Sequence, residues 1–267
     1  MRVSVSNLAW PDPPSESTLT ALRNLGVEAL EIAPTMIWAQ APDIARVDAA
    51  RYSARLRDSD LAVSGIQSLL FGHPELQLFQ RESWPEMRTH LSRMIDIAGA
   101  LTANVAVFGS PRNRIKGSLS LEEAMEIASE FLTSLTGVLE ENGVVLTMEP
   151  NAPGYGADFV TDYDSSVELC SRVGSAWVQP QVDTGCLSMA GDDPTAAVDH
   201  RLPAHVHVSE PNLTPPPASV DHASVAAVLR DREYTGWTVL EMLPPPGGTG
   251  EVLDCAAWLV ETYGSSK

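Results

Sequence analysis

Short runs of β-branched and apolar residues alternate along this chain with longer segments whose apolar residues recur three and four positions apart. The short runs read as strands and the 3.6-residue period reads as helix. Strands are expected at residues 3–7, 29–32, 62–67, 105–108, 144–148, 178–182, 205–208 and 238–240. Helices are expected between them at 16–25, 44–57, 81–101, 121–141, 162–173, 194–200, 219–231 and 251–263. Ser120 ahead of Glu122 and Glu123 carries the signature of a helix start, and Asn142-Gly143 that of a helix stop.

Repeated strand-helix units demand parallel strands joined by right-handed crossovers, which leaves a doubly wound open sheet or a closed barrel. No Gly-x-Gly-x-x-Gly follows the first strand, and a count of eight units matches closure, so the expected fold is α/β, a (β/α)8 barrel. The 267 residues are close to the roughly 250 that one such barrel needs, so residues 1–267 are expected to form a single domain. Proline and glycine concentrate after strand ends, at Pro111, 150–156, 211–217 and 244–250. Loops in those places are where such barrels keep their chemistry.

Composition narrows the partners. With 44% hydrophobic and 19% charged residues, the chain can bury a core that needs no staples. Thirty-five acidic against 17 basic residues give a formal charge of −18, a field that repels nucleic-acid backbones and anionic membranes. Neither is an expected partner. No run approaches the roughly 20 apolar residues of a membrane span, and the start, Met-Arg-Val-Ser-Val-Ser-Asn, lacks the charged-then-apolar pattern of an export signal. Cys170, Cys186 and Cys255 are odd in number and show no Cys-x-x-Cys spacing, which suggests neither a disulfide framework nor a zinc ribbon. A cytoplasmic location is expected.

Each of the last four strands runs into a residue able to bind a metal: Glu149, Asp183, His207 and Glu241. In a barrel adjacent strand ends converge on one mouth. A lone Glu at a strand end is ordinarily solvated, and a lone His in an apolar strand is ordinarily a hydrogen-bonded core residue. Three acids where buried strands end are costly without a compensating cation, and that joint occurrence points to a metal. Three carboxylates and one imidazole form a hard set suited best to Mn²⁺, with Mg²⁺, Co²⁺ or Zn²⁺ as alternatives. His205 shares the strand face of His207.

The motifs Ser6-Asn7-Leu8-Ala9-Trp10, Glu31-Ile32-Ala33-Pro34-Thr35, Gln67-Ser68-Leu69-Leu70-Phe71-Gly72, Phe108-Gly109-Ser110-Pro111-Arg112-Asn113-Arg114, Met148-Glu149-Pro150-Asn151, Val182-Asp183-Thr184-Gly185, His205-Val206-His207-Val208-Ser209-Glu210 and Leu240-Glu241-Met242 span nearly the whole chain. In them the sequence resembles the xylose isomerase-like TIM barrel superfamily, in its sugar phosphate isomerase/epimerase group with the ketose 3-epimerases. The resemblance implies that Glu149, Asp183, His207 and Glu241 bind the metal, with the second His of the pair as ligand. It implies that Glu149 and Glu241 are the catalytic acid/base pair, abstracting and returning a proton through a metal-stabilised enediolate. It also implies a small-molecule sugar substrate and a homodimer or homotetramer.

Two positions depart from the ketose 3-epimerase pattern: Cys186 stands where a substrate-binding His is expected, and Leu213 where an Arg is. Cys186 reads as a packing residue or, alternatively, a nucleophile. Arg112, Arg114 and Lys116 bring three positive charges into one loop, suited to an anionic substrate group at Arg112 or else to solvation and ion pairing. His222, Gln67, His73 and Trp10 are further substrate-facing candidates. Capping by Asp221 is the alternative for the pair at 221–222, and packing for Trp10, Trp38 and Phe71. Asn7 and Glu31 end the first two strands as weaker candidates. Three functions compete with a sugar isomerase or epimerase. A lyase acting on a cyclitol or dehydroshikimate-type substrate would use the same proton abstraction. A multi-zinc DNA repair endonuclease is disfavoured by six scattered histidines and the negative charge. A sugar-binding barrel without catalysis is disfavoured by the presence of both glutamates.

Overall fold

The computed structural model describes residues 1–264. Strands β1 (Arg2–Ser6), β2 (Ala29–Ile32), β3 (Ala62–Ile66), β4 (Val105–Phe108), β5 (Val145–Met148), β6 (Val178–Asp183), β7 (His205–Val208) and β8 (Trp237–Leu240) pair in parallel, each with the next, and β1 closes on β8. The expected (β/α)8 barrel is the observed one. Around it lie α1 (Glu16–Leu25), α2 (Arg46–Asp58), α3 (Trp84–Leu101), α4 (Leu121–Thr133), α5 (Thr136–Asn142), α6 (Tyr163–Val173), α7 (Thr184–Ala190), α8 (Pro194–His200), α9 (His222–Asp231) and α10 (Gly248–Tyr263).

Two helices differ from expectation. The single helix expected over 121–141 breaks into α4 and α5 at Ser134-Leu135, where the main chain tightens, Ser134 N–H donating to Phe131 O and Leu135 N–H to Leu132 O, each at 3.0 Å. Helix α7 was not expected. It starts directly after β6, with Asp183 as its N-cap, accepting from the Cys186 N–H at 2.6 Å.

Alternation along the strands builds two cores. Outward residues such as Val3, Val5, Leu30, Ile32, Ala106, Phe108, Leu146, Val206 and Val208 join the helices in the main apolar cluster. The barrel interior holds a small apolar cluster, Ala29, Trp237 and Val239, with the Arg2 guanidinium 4.1 Å from the Trp237 ring centre, and Val105 and Val107 of β4 are buried opposite the outward Ala106 and Phe108. Many of the remaining inward residues are polar and buried: Ser4, Glu31, Ser64, Thr147, Gln181 and His205. Their bonds are made inside the barrel, Ser4 Oγ to Ser64 Oγ at 2.8 Å and Thr147 Oγ1 to Gln181 Oε1 at 2.6 Å, so burial leaves these hydroxyls and amides partnered. A register shift between Leu30 and Glu31 on β2 and the missing side chain of Gly65, where a Cβ would sit 2.9 Å from Glu31 Oε1, make room for the Glu31 carboxylate.

Candidate metal centre

Register brings the four strand-end residues to one level. Asp183 pairs with His207 across β6 and β7. Glu149 and Glu241 extend β5 and β8 by one residue, their N–H groups donating to Phe108 O (3.2 Å) and Val208 O (3.1 Å). One ligand atom from each of Glu149, Asp183, His207 and Glu241 lies within 4.8 Å of the others, and all four residues are buried. His207 Nδ1 is 3.0 Å from Glu149 Oε1, 3.0 Å from Glu241 Oε2 and 3.7 Å from Asp183 Oδ2.

None of those approaches is aligned as a hydrogen bond, so His207 Nδ1 is a buried nitrogen without a partner amid three carboxylates. Its other nitrogen fixes the tautomer. Nε2 is 2.8 Å from Glu31 Oε2, and an ionised carboxylate only accepts, so Nε2 keeps a proton and Nδ1 is the nitrogen whose lone pair is offered to a cation once its own proton is given up. Glu31 is ionised: although burial works against its charge, His207 and His205 hold it down at about 2. His205 Nε2 donates to the other oxygen of Glu31 at 2.7 Å. His205 lies outside the four-residue group, and burial lowers its basicity.

The residues fit a divalent cation, which would partner the stranded Nδ1 and relieve three facing carboxylates. Without it, the strain shows in protonation. Burial pushes Glu241 up to about 8, with Glu149 and Asp183 adding to the effect against the pull of His207. Burial alone would lower His207, yet Glu241, Glu31, Asp183 and Glu149 together raise it well above the ordinary imidazole range. Asp183 is lowered despite burial by His207, the Cys186 N–H and the hydroxyl of Ser209, which donates to Oδ1 at 2.7 Å.

The two glutamates differ in their support. Glu149 accepts Gln181 Nε2 on Oε1 (2.8 Å) and Asn151 Nδ2 on Oε2 (3.0 Å). Among the described residues, the polar partner facing Glu241 is His207 alone. Gly109 borders this arrangement, and a Cβ there would collide with Glu149 Oε2.

The other expected residues fall in different places. Cys186 is buried beside Asn151, whose Nδ2 lies 3.8 Å from its sulfur; burial and the charges of Asp183 and Glu149 push the thiol up, in keeping with a packing residue. Gln67 ends β3 and its amide is used by Ser6 Oγ. His222 is buried, with Nδ1 2.8 Å from Tyr263 Oη and Nε2 3.3 Å from Glu210 Oε1. Asp221 caps α9, accepting from Ser224 N at 3.1 Å. His73 contacts Glu75 (3.0 Å) and the ring of His90 (4.3 Å between centres), in a surface cleft with Asp43 and Arg93. Trp10 is 4% exposed in the main core, which leaves its ring little surface to offer a substrate. In the basic loop, the buried cation is Arg114, while Arg112 is exposed and Lys116 Nζ bonds Leu119 O at 3.1 Å.

Sequence reasoning missed Gln181 and Asn151 as supports and ranked Glu31 low. The available signal was polarity on an inward strand face: Gln181 shares parity with Asp183, as does Thr147 with Glu149. Tyr155, from the loop after β5, was also unremarked. Its hydroxyl accepts Asn212 N–H at 2.9 Å, and burial, then Cys186, raises it to about 12.

Several solved structures share this architecture. D-psicose 3-epimerase in the presence of D-fructose is 15% identical with a TM-score of 0.81, covering 99% of this chain and 100% of that one. The apo form of 3-keto-D-glucoside 4-epimerase, YcjR, from E. coli is 16% identical at 0.78, covering 98% and 99%. The IOLI protein with a bound zinc atom is 14% identical at 0.75, covering 98% of each chain. At such identities the likeness is one of fold. No curated protein matches the chain. The family model of the xylose isomerase-like TIM barrel matches residues 19–261, nearly the whole barrel, and the chain therefore belongs to that family.

Proposed function

We propose that this protein is a divalent-metal-dependent isomerase or epimerase of a sugar or sugar-like polyol. The observation that carries the reading is the pair of buried carboxylates, Glu149 and Glu241, brought from β5 and β8 to 3.0 Å on either oxygen from one His207 nitrogen. Glu149, Asp183, His207 and Glu241 would hold the cation, with Mn²⁺ favoured by the oxygen-rich, thiolate-free set. When bound, the cation supplies a Lewis acid that makes the hydrogen next to a substrate carbonyl more acidic.

The chain's own groups then move the proton. Each carboxylate presents an oxygen able to take a proton from carbon and to hold it for return. A proton taken by one glutamate and delivered by the other to the opposite face inverts the carbon; returned to the neighbouring carbon, it moves the carbonyl. The polar layer beneath keeps Glu149 and His207 fixed while this happens, so little reorganisation accompanies the transfer. Sugar as the substrate class is supported by the structural neighbours, which act on D-psicose and a 3-keto-D-glucoside. For a phosphorylated substrate the candidate cation is the exposed Arg112, since the Arg114 guanidinium is turned into the protein.

The test is metal analysis of the purified protein, followed by incubation with ketoses, sugar phosphates and cyclitols in deuterated water. Deuterium at a carbon position with no hydroxyl lost, abolished by chelation and by Glu241→Gln, is the expected result. Loss of water would instead mark a lyase, and no exchange with any substrate class together with no bound metal would end the proposal.

A further inference from the structure

We propose that Asn151, held by the buried guanidinium of Arg114, is a positioning residue that fixes the Glu149 carboxylate for metal binding and proton transfer; this rests on the reading of the centre given above. Arg114 is fully buried, yet no acid pairs with it directly. Its Nε donates to Gly109 O (2.7 Å), Nη1 to Phe159 O (2.6 Å) and Val160 O (3.3 Å), and Nη2 to Glu149 O (2.7 Å) and Asn151 Oδ1 (2.6 Å). Burying a cation is expensive. The planar fork uses that cost to tie the loop after β4, the end of β5 and residues 159–160 into one rigid unit behind the centre.

The direction of the Asn151 amide follows from its partner. A guanidinium only donates, so the oxygen of Asn151 must face Arg114 and its NH₂ must face the other way. There it meets Glu149 Oε2 at 3.0 Å and the Cys186 sulfur at 3.8 Å. A second amide, Gln181, oriented by Thr147, takes the other oxygen of Glu149. Glu149 is thus gripped on both oxygens from two directions.

A strained segment belongs to the same device. Val160 has φ of +52°, a left-handed conformation that a β-branched residue rarely adopts. Its carbonyl accepts both Arg114 Nη1 and the Asn151 N–H, the latter at 3.1 Å. The backbone is held in an unfavourable state at the point where it completes the Arg114 and Asn151 contacts.

The experiment uses metal-stripped protein reloaded with Co²⁺, comparing wild type with Asn151→Ala and Arg114→Met. Asn151→Ala, which leaves the Arg114 contacts to main-chain carbonyls intact, should bind Co²⁺ about ten- to a hundredfold more weakly. Its visible Co²⁺ spectrum should shift, because an unclamped carboxylate changes the ligand geometry, while its metal-free melting temperature stays within a few degrees of wild type. Arg114→Met should show the same spectral change with a larger loss of stability. Wild-type Co²⁺ affinity and spectrum in folded Asn151→Ala would overturn the proposal. Failure of the wild-type protein itself to bind Co²⁺ would overturn the metal-centre reading and the positioning role with it.

Discussion

Replacing Glu31 by Gln isolates a single requirement of the centre. The Glu31 carboxylate accepts from two imidazoles at once, His205 Nε2 at 2.7 Å and His207 Nε2 at 2.8 Å. Gln keeps the shape but offers one acceptor and one donor. One histidine must then present a lone pair where it presented N–H. If His207 switches, its proton moves to Nδ1 and blocks the lone pair that faces Glu149, Asp183 and Glu241. If His205 switches, its Nδ1, which has no partner in its buried surroundings, acquires an unsatisfied proton at about 1–3 kcal/mol.

The magnitude can be reached twice. The drop of the Glu31 pKa from 4.5 to about 2 corresponds to a preference of about 3 kcal/mol for the ionised form in the folded protein, at roughly 1.4 kcal/mol per decade. Breaking a buried charge pair by removing one partner costs about 3–5 kcal/mol on general grounds. The two agree, and for a chain of this size they translate to a melting temperature about 5–10 °C lower at neutral pH. Because Glu31 is held below its unfolded value, its contribution is complete above pH 4.5 and is lost as pH falls through about 2. The gap between wild type and Glu31→Gln should therefore narrow as calorimetry moves from pH 6 to pH 3. Mn²⁺ affinity, by titration calorimetry at neutral pH, should fall about ten- to a hundredfold. A variant that melts within a degree or two of wild type and binds Mn²⁺ within twofold would refute the tautomer argument.

Other expectations follow from the same geometry. Metal binding should expel protons, because His207 stands well above its ordinary value and Glu241 at about 8 in the metal-free cluster; affinity should climb about tenfold per pH unit for each proton released below pH 8, and identical affinities at pH 6 and 8 would contradict it. Cys186 should resist iodoacetamide at pH 8, and Cys186→Ser should keep its solvent-exchange activity; rapid alkylation with inactivation would restore a nucleophilic role. Arg112→Ala should leave the KM for a neutral ketose within about twofold, whereas a tenfold rise confined to phosphorylated sugars would show that this exposed side chain reaches an anionic group.

The barrel was legible because one physical fact is written along the whole chain: outward strand faces and inward helix faces bury into a shared core, so both periods are strong. The four converging residues were legible because charge at the end of a buried strand is an outlier. The basic loop was not. Arg112, Arg114 and Lys116 look equivalent in sequence, and which one turns inward depends on a left-handed Ser110 (φ +47°), the 3-10 turn Pro111–Asn113 and acceptors at residues 149 to 160. The surroundings of His222 were hidden for a similar reason, since its partners Tyr263 and Glu210 come from other parts of the fold. The α4–α5 break carried a readable signal in Thr133, Ser134, Thr136 and Gly137, but helical spacing of the apolar residues on both sides concealed it.

The polar barrel interior changes how the halves of the chain relate. All four candidate ligands lie on the last four strands, which suggests a scaffold in the first half and chemistry in the second. Yet the group that fixes the His207 tautomer is Glu31 on β2, 176 residues away, and it needs Gly65 on β3 to have room. In a low-dielectric interior such a hydrogen bond is stronger than in water, and an unmade one is costlier. The centre therefore depends on both halves of the barrel: β5 to β8 carry the four side chains, and β2 sets which nitrogen of His207 faces the carboxylates.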